Sequence, residues 1–184
     1  MKLELYYPVK PFIITQGWGI SNPTYLQFGF SKHNGVDFIP YTGAVTFPLY
    51  APLKLTVIEI GTQPGAGNFV RFISQDTWEV DGVKCYVGGI FMHLKEPSVN
   101  LMQTCNVGDQ LGIANNTGNS TGPHTHLSLY KLGNDKVTRL DTDKEVNYTF
   151  NPQPYWNGKF AVDIKIKLIQ TLISLLQKLL TFIK

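Results

Sequence analysis

The sequence predicts an all-β fold, an antiparallel β-sheet or β-sandwich, followed by a C-terminal amphipathic α-helix. Between about Tyr6 and Tyr155, short apolar or alternating runs are separated by clusters of Gly, Pro and Asn, which is typical of strands joined by turns. From residue 164 to 184 there is no Gly or Pro, and apolar residues recur at helical spacing. We therefore expect one β domain over residues 1–160 and one helix within residues 161–184.

The composition is that of a folded protein with a slight excess of positive charge. Of 184 residues, 43% are hydrophobic and 16% are charged, and the formal net charge is +3. Nucleic-acid binding would need a concentrated basic surface, whereas Lys and Arg are thinly spread through the β domain. We therefore expect no nucleic-acid partner and only weak attraction to polyanionic surfaces.

Four of the predicted strands cover residues 55–60, 69–73, 83–87 and 127–130. Turn-forming residues dominate the segments between them, most clearly at 63–68 and 115–123. The two cysteines, Cys85 and Cys105, are too few for a disulfide scaffold. They either bridge each other, if their strands are neighbours, or remain half-buried free thiols.

The predicted helix has one wide apolar face and one polar face. Lysines occur along it, and no acid follows Asp163, which is a possible N-cap. Polar residues in every turn argue against a transmembrane span. The apolar residues form two adjoining stripes: Leu168, Leu172, Leu175 and Leu179, and then Ile169, Ile173, Leu176, Leu180 and Ile183.

All four histidines lie in sequence contexts that suit metal chemistry. His124 and His126 open a predicted strand, in which residues two apart face the same side with Cα atoms roughly 6.5–7 Å apart. Two imidazoles can then serve one small site, one binding a metal and the other lying beside a water molecule at that metal. The spacing alone does not say which of the two is the ligand.

A second pair of possible ligands, His33 and Asp37, is four residues apart. In a straight strand this spacing covers roughly 13 Å, too far for one ion. The intervening Asn34-Gly35 favours a turn, which can bring the imidazole and the carboxylate together. Two histidines and one carboxylate leave a fourth position open for water, the usual layout of catalytic zinc.

His93 ends the apolar run Phe91-Met92-His93-Leu94. Such a histidine is by itself more often a core or surface residue than a catalytic one, and an isolated His-x-His is also a weak signal. A joint site is favoured because these motifs occur together, in this order, in a β-rich chain.

The order of these motifs resembles that of the lysostaphin-type, or LytM-like, zinc endopeptidases. The most specific match is the segment Asn116-Thr-Gly-Asn-Ser-Thr-Gly-Pro-His-Thr-His126, which is nearly the family signature. Other matching segments are His33-Asn-Gly-Val-Asp37-Phe-Ile-Pro-Tyr-Thr-Gly43, Gly67-Asn-Phe-Val70, His93-Leu94, Val107-Gly-Asp-Gln-Leu-Gly112 and Asn151-Pro152. The resemblance covers roughly residues 7–155.

The resemblance implies a zinc endopeptidase that hydrolyses peptide bonds of bacterial peptidoglycan, in the stem peptide or the cross-bridge. It implies one Zn²⁺ held by His33, Asp37 and His126, with His93 and His124 as the catalytic pair. The choice of His126 over His124 as a ligand comes from the resemblance alone.

The chain departs from the family pattern at two places. Lys54 lies where the family often has Gly, and Leu127-Ser128 lies where it favours an aromatic and then an acidic residue. We expect both departures to change packing and groove shape rather than chemistry. Segments 16–32, 63–68 and 115–123 are expected to wall a narrow groove. Its aromatic residues either contact substrate or belong to the core: Trp18, Tyr25, Phe28 and Phe30.

An enzyme of this kind acts at the bacterial cell wall, outside the cytoplasm. The first residues show neither a long apolar stretch nor a small-residue cleavage site, so no signal peptide is predicted. We therefore expect a bacteriolytic enzyme, such as an endolysin, that is carried in a virion, released by a holin or otherwise exported.

Three interpretations of the helix remain: association with another copy or a virion partner, contact with a membrane surface, or packing back onto the β domain. Two alternative functions also remain. One is a non-catalytic wall-binding module, and the other is a membrane-active lytic protein that acts through its helix.

Overall fold

The computed structural model describes residues 1–182, and within them nine strands form one sheet while two more form a separate pair. The 3-10 helices span Pro23–Phe28 and Gln153–Tyr155, and the α-helix α1 spans Ala161–Phe182. In chain order the strands are β1 Leu5–Tyr7, β2 Ile13–Gln16, β3 Val36–Ile39, β4 Phe47–Tyr50, β5 Leu55–Gln63, β6 Gly67–Val80, β7 Val83–Pro97, β8 Thr104–Cys105, β9 Gln110–Ala114, β10 Thr125–Leu132 and β11 Trp156–Phe160.

The nine-stranded sheet is antiparallel and centred on its longest strand, β7. Its strand order is β2-β3-β10-β7-β6-β5-β8, and the end of β7 also pairs with β9, which in turn pairs with β4. Beside β7, seven of the eight residues of β10 are buried, whereas β3 and β4 alternate between buried and more exposed residues, as strands with one face on a core do. The predicted all-β antiparallel fold with a C-terminal helix is confirmed.

The four predicted strands are also present, each within a longer one: β5, β6, β7 and β10. The pair β1–β11 is parallel, with Leu5 opposite Trp156, and it joins the beginning of the domain to the strand that precedes α1. The sequence did not predict this pair, because each of its strands has at most five residues and too few apolar positions to show a period.

Cys85 and Cys105 are both buried free thiols, so the disulfide alternative is wrong. They lie on β7 and β8, which are not neighbours, because β5 and β6 lie between them in the sheet. Burial raises the pKa of the Cys85 thiol to about 11, which keeps it protonated at neutral pH.

Helix α1 begins at Ala161, the first residue of the segment 161–184 in which a helix was expected, so Asp163 lies in the first turn and is not the N-cap. Two ion pairs tie the beginning of the helix to the β domain. Lys10 Nζ lies 2.7 Å from a carboxylate oxygen of Asp163, and Lys165 Nζ lies 2.6 Å from Asp109 Oδ1. Ile183 and Lys184, which the prediction placed in the helix, lie outside the described residues.

Beyond this first turn, α1 does not pack against the β domain. Its large apolar residues from Ile166 to Leu180 are all at least 47% exposed, so the interpretation that the helix packs back is wrong for this segment. No helix within the described residues is long and apolar enough to span a bilayer.

Candidate metal centre and active site

The proposed metal ligands converge where β3 and β10 lie side by side. In the antiparallel register of these strands, His126 is directly opposite Asp37. His33 precedes β3, and the predicted change of direction occurs as a bend at Gly35, which returns the His33 side chain to the same point. Residues that are far apart in the sequence therefore meet because of strand pairing and one bend.

Three ligand atoms form a compact triangle. His33 Nε2, Asp37 Oδ1 and His126 Nδ1 are separated by 3.0, 3.2 and 2.8 Å. Zinc bonds of about 2.0–2.1 Å in a tetrahedral site would place such atoms roughly 3.3 Å apart. The triangle is thus close to the size that a zinc ion needs, and two imidazoles with one carboxylate are a donor set that zinc accepts.

Both imidazoles of the triangle have a hydrogen-bond partner on the side away from it. His33 Nδ1 donates to the carbonyl oxygen of Gly17 over 2.9 Å, and His126 Nε2 lies 2.8 Å from Ser128 Oγ. The sequence analysis did not predict either contact. A backbone carbonyl leaves no signal in a sequence, whereas Ser128 could have been found because it lies two residues after His126 on the same face of β10.

The electrostatics of the site favour a charged Asp37 carboxylate and a neutral His126 imidazole. Burial opposes ionisation of Asp37, but hydrogen bonds from His126 and His33 outweigh it and hold the Asp37 pKa well below its ordinary value. Burial also lowers the pKa of His126, against the opposing effect of the Asp37 carboxylate. A carboxylate and a neutral imidazole are the forms that bind metal.

His93 and His124 lie together beside this triangle, with ring centroids 4.7 Å apart. The His93 Nδ1–H donates to the Thr117 carbonyl oxygen over 2.8 Å, and the His124 Nδ1–H lies 2.8 Å from the Gly122 carbonyl oxygen. Each ring therefore keeps Nε2 for other contacts, and His124 Nε2 lies 3.7 Å from Asp37 Oδ2. Burial lowers the pKa of His93 to about 4, so this ring is a neutral proton acceptor at pH 7.

The backbone places the His93 ring in an unusual way. His93 has a φ of 64°, in the left-handed region, within the long strand β7. Its N–H donates to Ala66 and its carbonyl oxygen accepts from Asn115, so two loops hold this irregular point. The structure thus brings all five predicted site residues into one place, while their individual roles remain predictions.

A cleft of about 670 Å³ opens above these side chains. Three aromatic rings form one wall in a stacked series that continues from His33: Tyr25 at 5.5 Å from His33, Phe30 at 5.8 Å from Tyr25, and Phe28 at 6.0 Å from Phe30. Residues 63–66 also line the cleft, and an ideal Cβ on Gly65 would lie only 3.5 Å from Phe28 Cε1. A side chain at residue 65 would therefore contact the aromatic wall.

The expected groove segments are confirmed in part. Tyr25, Phe28 and Phe30 line the cleft, as do residues 63–66 and 119–121. Trp18 does not line it, because its ring packs against the main core and its Nε1–H donates to Thr149 Oγ1 over 2.9 Å. For this residue the core alternative is correct.

Gly35→Ala is expected to destabilise the protein and weaken metal binding. An ideal Cβ on Gly35 would lie 2.4 Å from the Leu127 carbonyl oxygen and 2.5 Å from His126 Nε2, so either the backbone or the ligand must move. We expect the free energy of unfolding to fall by about 1–3 kcal/mol, as in other overpacked sites. Urea unfolding and a zinc titration measure the two effects.

Gly122→Ala is the matched control for stability, because its added Cβ would have no atom within 4 Å and its φ is not positive. It should change the free energy of unfolding by less than about 0.5 kcal/mol. Equal stability of the Gly35 and Gly122 variants would contradict the close approach described for Gly35.

Comparison with known proteins gives a family match and several relatives. The model of peptidase family M23 matches residues 31–139, more than half of the chain. An uncharacterized metalloprotease of Haemophilus influenzae is 32% identical over 102 residues, 55% of this chain and 19% of that protein. The peptidoglycan DD-endopeptidase ShyA of Vibrio cholerae is 31% identical over 103 residues, 56% of this chain and 21% of that protein. The chain thus spans about a fifth of the length of these relatives.

Solved structures show the same fold. The catalytic domain of lysostaphin from Staphylococcus simulans has a TM-score of 0.57 and 23% identity, over 78% of this chain and 91% of that chain. A zinc-containing peptidase from Vibrio cholerae has a TM-score of 0.56 and 23% identity, over 78% of this chain and 40% of that chain.

Proposed function

The chain belongs to peptidase family M23, and from this membership we propose that it is a zinc-dependent endopeptidase that hydrolyses peptide bonds of bacterial peptidoglycan. The observation that carries the proposal is the convergence of His33, Asp37 and His126 at ligand distances, with His93 and His124 in the same cleft. The substrate class is supported by the names of relatives such as ShyA. The bond cut lies in the stem peptide or the cross-bridge.

In this proposal His33, Asp37 and His126 hold one Zn²⁺, through Nε2, Oδ1 and Nδ1 respectively. When bound, zinc supplies Lewis acidity that polarises a carbonyl group and makes water acidic enough to ionise near neutral pH. The other steps fall to the side chains of the chain itself.

His93 and His124 are proposed to move the protons. Their Nδ1 atoms are held by backbone carbonyls, so Nε2 of one ring or of both orients or deprotonates the attacking water, and the proton taken up is later returned to the leaving amine. None of the described residues that line the cleft is a glutamate, and Asp37 is used as a ligand. Imidazole is therefore the group within reach for general acid–base catalysis.

The aromatic wall is proposed to orient the substrate. Phe28 is 43% exposed, and the Tyr25 ring stacks on His33 while Gln16 Nε2 donates to the Tyr25 hydroxyl over 2.6 Å. Burial and the charge of Asp37 raise the pKa of Tyr25, so the phenol stays protonated and can donate to a carbonyl oxygen.

The experiment that tests this function is digestion of purified peptidoglycan, followed by mass spectrometry of the muropeptides. We expect the zinc-loaded chain to release new free amino groups and to cleave cross-links. Chelation should abolish this activity, and added zinc should restore it. The masses of the products identify the bond that is cut. If the zinc-loaded chain binds peptidoglycan but releases no amino groups, the non-catalytic wall-binding alternative holds instead.

We also propose that the enzyme acts at the cell wall.

For the helix, we propose that α1 associates with other copies of the chain. Apolar residues recur at spacings of three, four and three residues, as in a helix that packs beside another: Ile169, Leu172, Leu176 and Leu179. The seam is flanked by further apolar residues that are at least 50% exposed, which favours more than two helices: Leu168, Ile173, Leu175 and Leu180. An apolar surface this wide marks an interaction site.

Leu172→Gln combined with Leu176→Gln is expected to abolish association of the full-length chain, because both residues lie in the seam. Analytical ultracentrifugation over a concentration series measures it. The control is Gln170→Ala with Gln177→Ala, two changes on the polar face, which should leave the assembly intact. A wild-type chain that stays monomeric but sediments with anionic lipid vesicles would support membrane contact instead, and release of vesicle contents would favour the membrane-active alternative.

A further inference from the structure

We propose that Ser128 is a positioning residue for the metal ligand His126, and that its hydroxyl reverses its hydrogen-bond direction when metal binds. The inference rests on the proposed zinc site, but not on peptidase activity. Ser128 Oγ lies 2.8 Å from His126 Nε2, and both residues are at most 5% exposed. Water therefore cannot easily replace this contact.

The partners of His33 place a proton on its Nδ1. The Gly17 carbonyl oxygen can only accept a hydrogen bond, so Nδ1–H donates to it over 2.9 Å. Nε2 is the atom in the ligand triangle, 3.2 Å from Asp37 Oδ1 and 3.0 Å from His126 Nδ1. Metal binding at Nε2 therefore requires no change at Nδ1.

His126 is in the opposite situation. Its Nδ1 lies 2.8 Å from Asp37 Oδ1, and a carboxylate oxygen can only accept a hydrogen bond. In the metal-free protein, Nδ1 of the neutral ring therefore carries the proton and donates it into the triangle. Nε2 then carries a lone pair, which must accept a hydrogen bond from Ser128 O–H.

Metal binding requires a lone pair on Nδ1, so the proton of His126 must be on Nε2 in the bound form. The neutral ring holds one proton in both states: one leaves Nδ1 to solvent and one is taken up from solvent at Nε2. Nε2–H then donates to Ser128 Oγ. A hydroxyl can serve both tautomers because it both donates and accepts, whereas a methyl group serves neither.

Ser128→Ala should therefore weaken zinc binding, because Nε2–H of the bound form loses the hydrogen-bond partner that it has among the described residues. Removal of such an outer partner of a metal ligand typically lowers affinity by about 10–100-fold. Competition with a chromophoric chelator measures the zinc dissociation constant of the full-length chain. Ser128→Thr keeps a hydroxyl at this position and is expected to restore the affinity.

Thr125→Val is the matched control. Thr125 is also buried on β10, faces the other side of the strand, and donates its hydroxyl to the Met92 carbonyl oxygen over 3.0 Å. Its loss removes a buried hydroxyl from the same strand without touching a ligand, so zinc affinity should stay within about twofold of wild type. If Ser128→Ala does not fold, Ser128→Cys, with a much weaker hydrogen-bonding group, takes its place in the comparison.

The second measurement is the tautomer of His126, read from long-range ¹H–¹⁵N spectra of histidine-labelled protein. We expect the Nδ1–H form without metal and the Nε2–H form with zinc. An Nε2–H form already present without metal would overturn the reversal, and unchanged zinc affinity of Ser128→Ala would overturn the positioning role. Neither result depends on turnover, so a chain that binds zinc in this way and cuts nothing would refute the proposed function alone.

Discussion

Replacement of Asp37 by alanine is expected to leave the protein without its zinc ion. Asp37 supplies the only carboxylate of the triangle, and its Oδ1 lies within 3.2 Å of both ligand imidazoles. Without it, two neutral nitrogens face the cation and one negative charge is lost. Affinity should fall by more than the roughly 100-fold that loss of an outer partner costs, and peptidase activity should disappear with the metal.

Zinc content after dialysis, measured by atomic emission, checks this result. Asp141→Ala is a suitable control, since the Asp141 side chain is 10% exposed, compared with 13% for Asp37, and forms a 2.8 Å ion pair with Lys131 outside the cleft. It should lose some stability but keep one zinc ion per chain. Tight zinc binding by the Asp37→Ala protein would refute the assignment of the three ligands.

The His124→Ala and His93→Ala proteins are expected to keep the zinc ion and yet lose turnover. Neither ring belongs to the compact triangle. Among the described residues, the hydrogen bonds of both rings are made through Nδ1, so Nε2 of each ring is left for the reaction. Loss of a general acid or base typically lowers the rate by about 10²–10⁴-fold, and kcat should fall by that amount in each variant.

The double variant, His93→Ala with His124→Ala, distinguishes a shared role of the two rings from two independent roles. Because the rings are 4.7 Å apart and face one cleft, we expect them to act as a unit, and the double variant should be little slower than the slower single variant. Rates on a defined peptide, with zinc content measured on the same samples, test this expectation. Near-wild-type turnover of either single variant would show that its imidazole does not move the proton.

Much of the fold and of the site could be predicted from the sequence because both leave local patterns. Short apolar or alternating runs predicted β5 and the other long strands, and the spacing of His124 and His126 predicted one shared site where β10 begins; His124 lies just before that strand. The bend at Gly35 followed from a dipeptide that favours turns. The convergence of the five site residues was inferred from the co-occurrence of their motifs and from the family resemblance, because the pairing of β3 with β10 has no local signal in the sequence.

The features that were missed depend on contacts between distant atoms. The hydrogen bond from His33 to the Gly17 carbonyl is made by backbone, and the close approach of Gly35 to His126 appears only once the strands are paired. Under the proposed role of Ser128, the expectation that Leu127-Ser128 affects only packing would also need revision. Trp18 was ambiguous because an aromatic residue near a groove suits both a core and a binding surface.

The left-handed backbone of His93 has a consequence for the balance between reactivity and robustness. A residue with a Cβ at φ 64° costs about 1–2 kcal/mol relative to ordinary backbone, and glycine would remove most of that cost. The domain therefore gives up part of its resistance to unfolding so that one imidazole reaches the cleft. Variants selected only for heat tolerance would be expected to lose His93 early, and their activity with it.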